Sequence, residues 1–186
     1  TSPVHGGARA LRLSLPDGTP QQHAGLVRQG GLPDDAHYSM FVWLPRVHTV
    51  RTFWHLLQFR SATGDPRPEA DVHWALEVQN GVDGQMRIDL VQQRPVSRWM
   101  RFSGESGPPL PVGRWVHLEV RFVRGGPGAG AVTVWQDGAR IHDVRAVETG
   151  TSAPLQWFVA SIGENVSPGP VDMFVDDVTV SAVRLR

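Results

Sequence analysis

Apolar residues recur along this chain with period two, in short runs. Nowhere do they hold a helical i, i+3, i+4, i+7 pattern for three turns. Leu11, Leu13 and Leu15 share one face of a run over 8–15. Tyr38, Met40, Val42 and Leu44 alternate with Ser39, Phe41 and Trp43, and a third run covers 53–61. Trp74, Leu76 and Val78 oppose His73, Ala75, Glu77 and Gln79, while Met86, Ile88 and Leu90 oppose Arg87 and Asp89. Further on, Val116, Leu118, Val120 and Phe122 alternate with His117, Glu119 and Arg121, and runs follow over 131–136, 139–142, 155–162 and 173–183. Each reads as a strand with one face turned to a core.

Turn chemistry separates these runs. Asp137-Gly138 is the kind of dipeptide a type I′ hairpin turn requires, and Gly125-Gly126-Pro127-Gly128 closes the hairpin before it. Asn80-Gly81 and Asp83-Gly84 lie between two more runs. The prolines mostly fall outside the runs, where they remove no ladder hydrogen bond. Two proline-bearing stretches, 62–71 and 103–113, read as loops able to border a cleft. Many short strands with glycine and proline turns predict a two-sheet antiparallel sandwich or a barrel. A length of 186 residues suits a single domain over 1–186.

Composition narrows the function classes. With 40% hydrophobic and 19% charged residues the chain is globular, and its formal net charge of zero predicts no nucleic-acid partner. No apolar run approaches the roughly 18 residues of a membrane span, so no membrane insertion is expected. All 18 basic residues are arginine, so no lysine base or Schiff base is available. The absence of cysteine removes disulfides, thiolate nucleophiles and cysteine-zinc sites. The chain opens at Thr1, as expected of a processed protein or an excised domain.

Several chemistries lack their residues. Glycoside hydrolysis needs two carboxyl groups across the scissile bond. Glu77 and Asp89 can face each other on neighbouring strands, but no Glu-x-Asp-x-x-Glu strand is present. The histidines show no His-x-His or His-Glu-x-x-His spacing, which argues against zinc. The seven tryptophans are more suggestive, because indole faces stack on sugar rings. Strict alternation puts Trp54 on a face with Leu56, Gln58 and Arg60. Trp99 stands in Arg98-Trp99-Met100-Arg101 beside a proline loop. Trp43, Trp115 and Trp135 read as core.

In order along the chain, four segments carry a resemblance: 37–45 (HYSMFVWLP), 53–60 (FWHLLQFR), the pair GRWVHL at 113–118 and VWQDG at 134–138, and 174–180 (FVDDVTV). Together they resemble the concanavalin A-like jelly rolls of polysaccharide lyases of the alginate-lyase and heparin-lyase I type, and related carbohydrate-binding domains. The resemblance implies an antiparallel jelly-roll sandwich whose concave sheet receives a sugar chain, and an extracellular or cell-surface location. In those lyases a glutamine and a histidine two residues apart point into the groove. Gln58 matches the glutamine, but Arg60 stands in the histidine's place. The late strand of the lyases also bears a lysine and a tyrosine, which WFVASIG at 157–163 lacks.

The expectation placed first is therefore a lectin-like carbohydrate-binding domain without catalysis. It would hold a polysaccharide or oligosaccharide, acidic ones included, with Trp54, Gln58, Arg60, Arg87 and Trp99 lining the groove. Glu77 and Asp89 would accept sugar hydroxyls. The first alternative is a lyase that cleaves a uronic-acid polymer by β-elimination, with Gln58 and Arg60 neutralising the carboxylate and His55, His73 or Tyr38 supplying base and acid. A second alternative is a laminin-G-like domain that binds protein. The resemblance also implies a structural calcium, with Asp176 and Asp172 as its ligands.

Overall fold

The structure is a computed structural model and describes residues 3–17, 20–61, 72–94, 100–150 and 153–185. Among them there is no helix. Twelve strands form two antiparallel six-stranded sheets. The first sheet runs β1 (Leu11–Leu15), β12 (Val171–Ser181), β3 (Asp35–Trp43), β8 (Trp115–Val123), β9 (Gly130–Gln136) and β10 (Ala139–Val147). The second runs β2 (Gln22–Gln29), β11 (Leu155–Ser167), β4 (Thr49–Ser61), β5 (His73–Asn80), β6 (Met86–Arg94) and β7 (Met100–Phe102). The expected two-sheet jelly-roll sandwich is the fold observed.

The period-two faces meet between the sheets. Met40, Val42, Leu118, Val120 and Val134 from the first sheet close on Trp54, Leu57, Phe59, Trp74, Leu76 and Ile88 from the second, all buried. Phe59 stacks on Phe122 across the gap, with ring centroids 4.2 Å apart. Each such side chain contributes about 1.5–3 kcal/mol by leaving water. The Asp137-Gly138 turn between β9 and β10 has the two positive φ angles, 48° and 80°, that its sequence predicted.

The tryptophans divide differently from expectation. Among the described residues, Trp54, Trp74 and Trp157 are buried. Trp43 and Trp115 face each other as a cross-strand pair, with centroids 5.8 Å apart, on the outer side of the first sheet. Trp135 lies there too, under the Arg184 guanidinium at 4.7 Å. Their positions opposite the inward residues of β3, β8 and β9 turn them away from the core.

Candidate functional site

The outer face of the second sheet is built by a fault in β4. Its apolar residues Trp54, Leu56, Leu57 and Phe59 cannot all point inward under strict alternation, since Leu56 and Leu57 are adjacent. The strand solves this with a bulge. His55 pairs with Glu77 and Leu57 with Leu76, so Leu56 is an extra residue with no partner on β5. All four apolar side chains are buried as a result. The same bulge turns His55 outward, beside Gln58 and Arg60.

This overturns the placement of Trp54 in the groove. Trp54 is fully buried on the core side, and its indole N–H donates to Ser161 Oγ at 2.9 Å. Tyr38 is lost to the site as well. It lies in the core of the first sheet with its hydroxyl donating to the Pro33 carbonyl, and burial pushes its pKa up to about 12. Trp99 lies outside the described residues.

The remaining sequence candidates come together. Across β4, β5 and β6 the outer face carries Arg60 beside His73, Gln58 beside Ala75, and His55 beside Glu77 and Asp89. The His55 and His73 rings are 6.1 Å apart between centroids, nearly perpendicular. Gln58 Nε2 lies 2.7 Å from His55 Nδ1. Arg60 Nε is buried without a hydrogen-bond partner, and its guanidinium lies 6.0 Å from the Phe158 ring centroid on β11. Arg87 is at the edge of this face, lining a cavity of about 220 Å³ with Gln79, Asp89 and Arg101. Its guanidinium is held by both oxygens of Asp83, at 2.7 and 2.8 Å.

Glu77 and Asp89 have their oxygens committed to protein donors, not to sugar hydroxyls as expected. Glu77 is 1% exposed and accepts from His55 Nε2 at 2.9 Å, Gln79 Nε2 at 2.6 Å and Arg101 at 2.6 Å. Asp89 is 4% exposed and accepts from Arg101 at 2.8 Å and from the Gly104 backbone N–H at 2.7 Å. A buried carboxylate is costly unless paired, and here Arg101 pairs both. Burial pushes Glu77 up, but its bonds to His55, Arg101 and Gln79 outweigh that and hold its carboxyl below the usual value. Burial acts against the Arg101 charge, yet its two carboxylates hold its pKa above the usual value. Sequence reasoning missed Arg101, because it sits on a three-residue strand, and Gln93, whose amide lies 3.1 Å from His55 Nε2. Two carboxylates bound to one arginine are also unsuited to glycoside hydrolysis, which needs one of them free as acid.

The expected calcium ligands do not suit an ion. Asp172 is bound through both oxygens by Arg12, at 3.1 and 3.0 Å. Asp176 accepts backbone N–H bonds from His5, Gly6 and Asp177 at 3.0, 3.1 and 2.9 Å. Those N–H donors hold its carboxyl below the usual range. Asp172 and Asp176 lie four residues apart on β12, a backbone spacing of about 13 Å, whereas ligands of one calcium lie about 2.3–2.6 Å from it. No group of three or more His, Asp or Glu able to hold a metal occurs among the described residues.

No protein-family model and no curated protein matches the sequence. Solved structures do. A glucuronan lyase from the fungus Trichoderma reesei superposes with a TM-score of 0.68 at 16% identity, over 97% of this chain and 84% of that one. The alginate lyase Aly36B, as a variant in complex with alginate trisaccharide, gives 0.67 at 12% identity over 94% and 82%. The Chlorella virus alginate lyase vAL-1 gives 0.63 at 10% over 97% and 88%. The chain has the fold of these polysaccharide lyases. That finding corrects the reading placed first from sequence. Its neighbours in structure cleave polysaccharides, so the non-catalytic binding domain gives way to the lyase alternative.

Proposed function

We propose that this chain is a polysaccharide lyase that cleaves a uronic-acid polymer by β-elimination on the outer face of the second sheet. The observation that carries the reading is the β4 bulge, which sets His55, Gln58 and Arg60 on one face with His73 beside them. Fold neighbours that act on alginate and glucuronan, both polyuronates, support the substrate class.

Elimination needs three services. The sugar carboxylate must be neutralised so that the α proton becomes acidic. Gln58 and Arg60 fit this role, Arg60 with a buried N–H that has no protein partner. A base must take the C5 proton, whose electron pair forms the C4–C5 double bond. An acid must protonate O4 as the C4–O4 bond breaks. The two imidazoles fit base and acid: His55 next to Gln58, and His73 next to Arg60. This pair replaces the tyrosine of the resembling lyases, since Tyr38, the one tyrosine in the chain, is in the core. In the resting site the Gln58 amide caps His55 Nδ1, so drawing that amide to a carboxylate also uncovers the base.

The product carries a conjugated unsaturated uronate that absorbs in the ultraviolet. Incubation with glucuronan, alginate and pectin is expected to release it from at least one polymer. His55→Ala should lower kcat by about 10²–10⁴-fold, and Gln58→Ala by about 10²–10³-fold. If the wild-type protein gives no absorbing product from any polyuronate, the lyase reading fails.

A further inference from the structure

We infer that Glu77 is a positioning residue that fixes the tautomer of His55, leaving the lone pair on Nδ1, the nitrogen that faces Gln58. The inference rests on the lyase reading for its catalytic meaning, but not for its geometry.

The assignment follows from proton accounting. Glu77 receives hydrogen bonds from Arg101 and Gln79 at 2.6 Å each, so its carboxylate stays ionised. An ionised carboxylate only accepts. The contact of 2.9 Å between Glu77 Oε2 and His55 Nε2 therefore requires the proton on Nε2. In the neutral ring Nδ1 then has the lone pair, and it accepts from the Gln58 amide at 2.7 Å. Gln93 Nε2 lies 3.1 Å from His55 Nε2; with that ring nitrogen protonated, the Gln93 amide turns over to present its oxygen. The contacts with Glu77 and Gln58 are both satisfied by this one tautomer.

The surroundings make Glu77 rigid as well as charged. It is 1% exposed, and Arg101 ties it to Asp89 on the next strand. Of the ionisable groups near His55, Glu77 and His73 come from β5, Asp89 from β6 and Arg101 from β7. Arg60 shares β4 with His55, and β11 presents Ile162 opposite it with Glu164 two residues further on. Glu77 is the one among these in direct hydrogen bond with the ring. It stabilises the imidazolium that forms when Nδ1 takes a proton, as a buried carboxylate does for a general-base histidine.

Two measurements test this on the intact chain. Nitrogen-15 spectra of histidine-labelled protein at neutral pH, with His55 assigned by its loss in His55→Gln, should show Nε2 protonated and Nδ1 bare. A resonance pattern with the proton on Nδ1 overturns the inference whatever the activity. Glu77→Gln keeps the shape and removes the charge. It should lower kcat by about 10²-fold or more with KM within about twofold. In its nitrogen-15 spectrum the His55 proton should move from Nε2 to Nδ1, because the new amide keeps its oxygen toward Arg101 and Gln79 and turns its N–H toward Nε2. Asp89→Asn, which also weakens the hold on Arg101, should leave the proton on Nε2. If both variants move the proton alike, or neither does, Glu77 is structural only. A wild-type protein inert on every polyuronate would sink the lyase reading while leaving the tautomer result to stand by itself.

Discussion

Trp54 and Gln58 lie four residues apart on β4 and serve opposite sides of the sheet. A strict period of two gave them a common face, and one extra residue separates them. The cue was present in the sequence: Leu56 and Leu57 adjacent within an alternating apolar run. Two neighbouring leucines cannot both point inward from a regular strand, so either one is exposed or the strand bulges. Burying about 1.5–3 kcal/mol of side chain favours the bulge. Trp54→Ala should therefore cost about 3–5 kcal/mol of stability, as cavity formation at a buried indole does. Gln58→Ala should cost at most about 1.5 kcal/mol, the worth of one hydrogen bond. Urea denaturation of both variants measures the contrast, and equal losses would remove the assignment of the two residues to opposite faces. What stayed hidden in the sequence was Arg101. Its role depends on β7 lying beside β6, a pairing that no local pattern announces.

Strands with an apolar face were legible because burial on one side imposes the alternation that a reader sees. Ten runs found by period two correspond to β1, β3 to β6 and β8 to β12, with ends shifted by several residues. The two strands without such a run are β2 and β7. β7 has three residues, too few to display a period. β2 is an edge strand whose residues are mostly exposed, Leu26 and Val27 at 62% and 53%, so no apolar stripe marks it. What holds β2 is a close approach to β11, in which Gly25 pairs with Ala160. A Cβ on Gly25 would come within 2.5 Å of the Ala160 Cβ and 2.8 Å of the Val159 carbonyl oxygen. Gly25→Ala should thus destabilise by about 1–3 kcal/mol through overpacking. Hydrogen exchange should quicken at 22–29 before it does elsewhere. Unchanged protection there would mean that the edge relaxes freely and that the close approach is not what seats the strand.

For the molecule as a whole, the fold was readable from ordered motifs, whereas function had to be argued from the site, because one sandwich can hold a polymer or cut it. The chain has formal net charge zero. At the site, Arg101 faces two carboxylates, Glu77 and Asp89, leaving that trio one unit negative, and Arg60 supplies one unit positive. Arg87 is neutralised by Asp83. Among these described groups there is no surplus to draw an anionic chain from a distance. Under the lyase reading, recognition would rest on contact, with the sugar carboxylate meeting Gln58 and Arg60 at hydrogen-bond range. Contact and steering respond differently to salt. Raising ionic strength from about 0.01 M to about 0.1 M shortens the screening length from about 30 Å to about 10 Å, which weakens steering but barely touches a pair in contact. KM for a polyuronate should change by less than about threefold over that range, while steered association would fall far more steeply. Arg60→Gln, which removes the contact charge, should raise KM by about tenfold or more at every salt concentration, the loss expected for a charge-assisted hydrogen bond. A wild-type KM that climbs tenfold with salt would instead place the recognition in a long-range field, and the site's near-neutral balance would not be what selects the substrate.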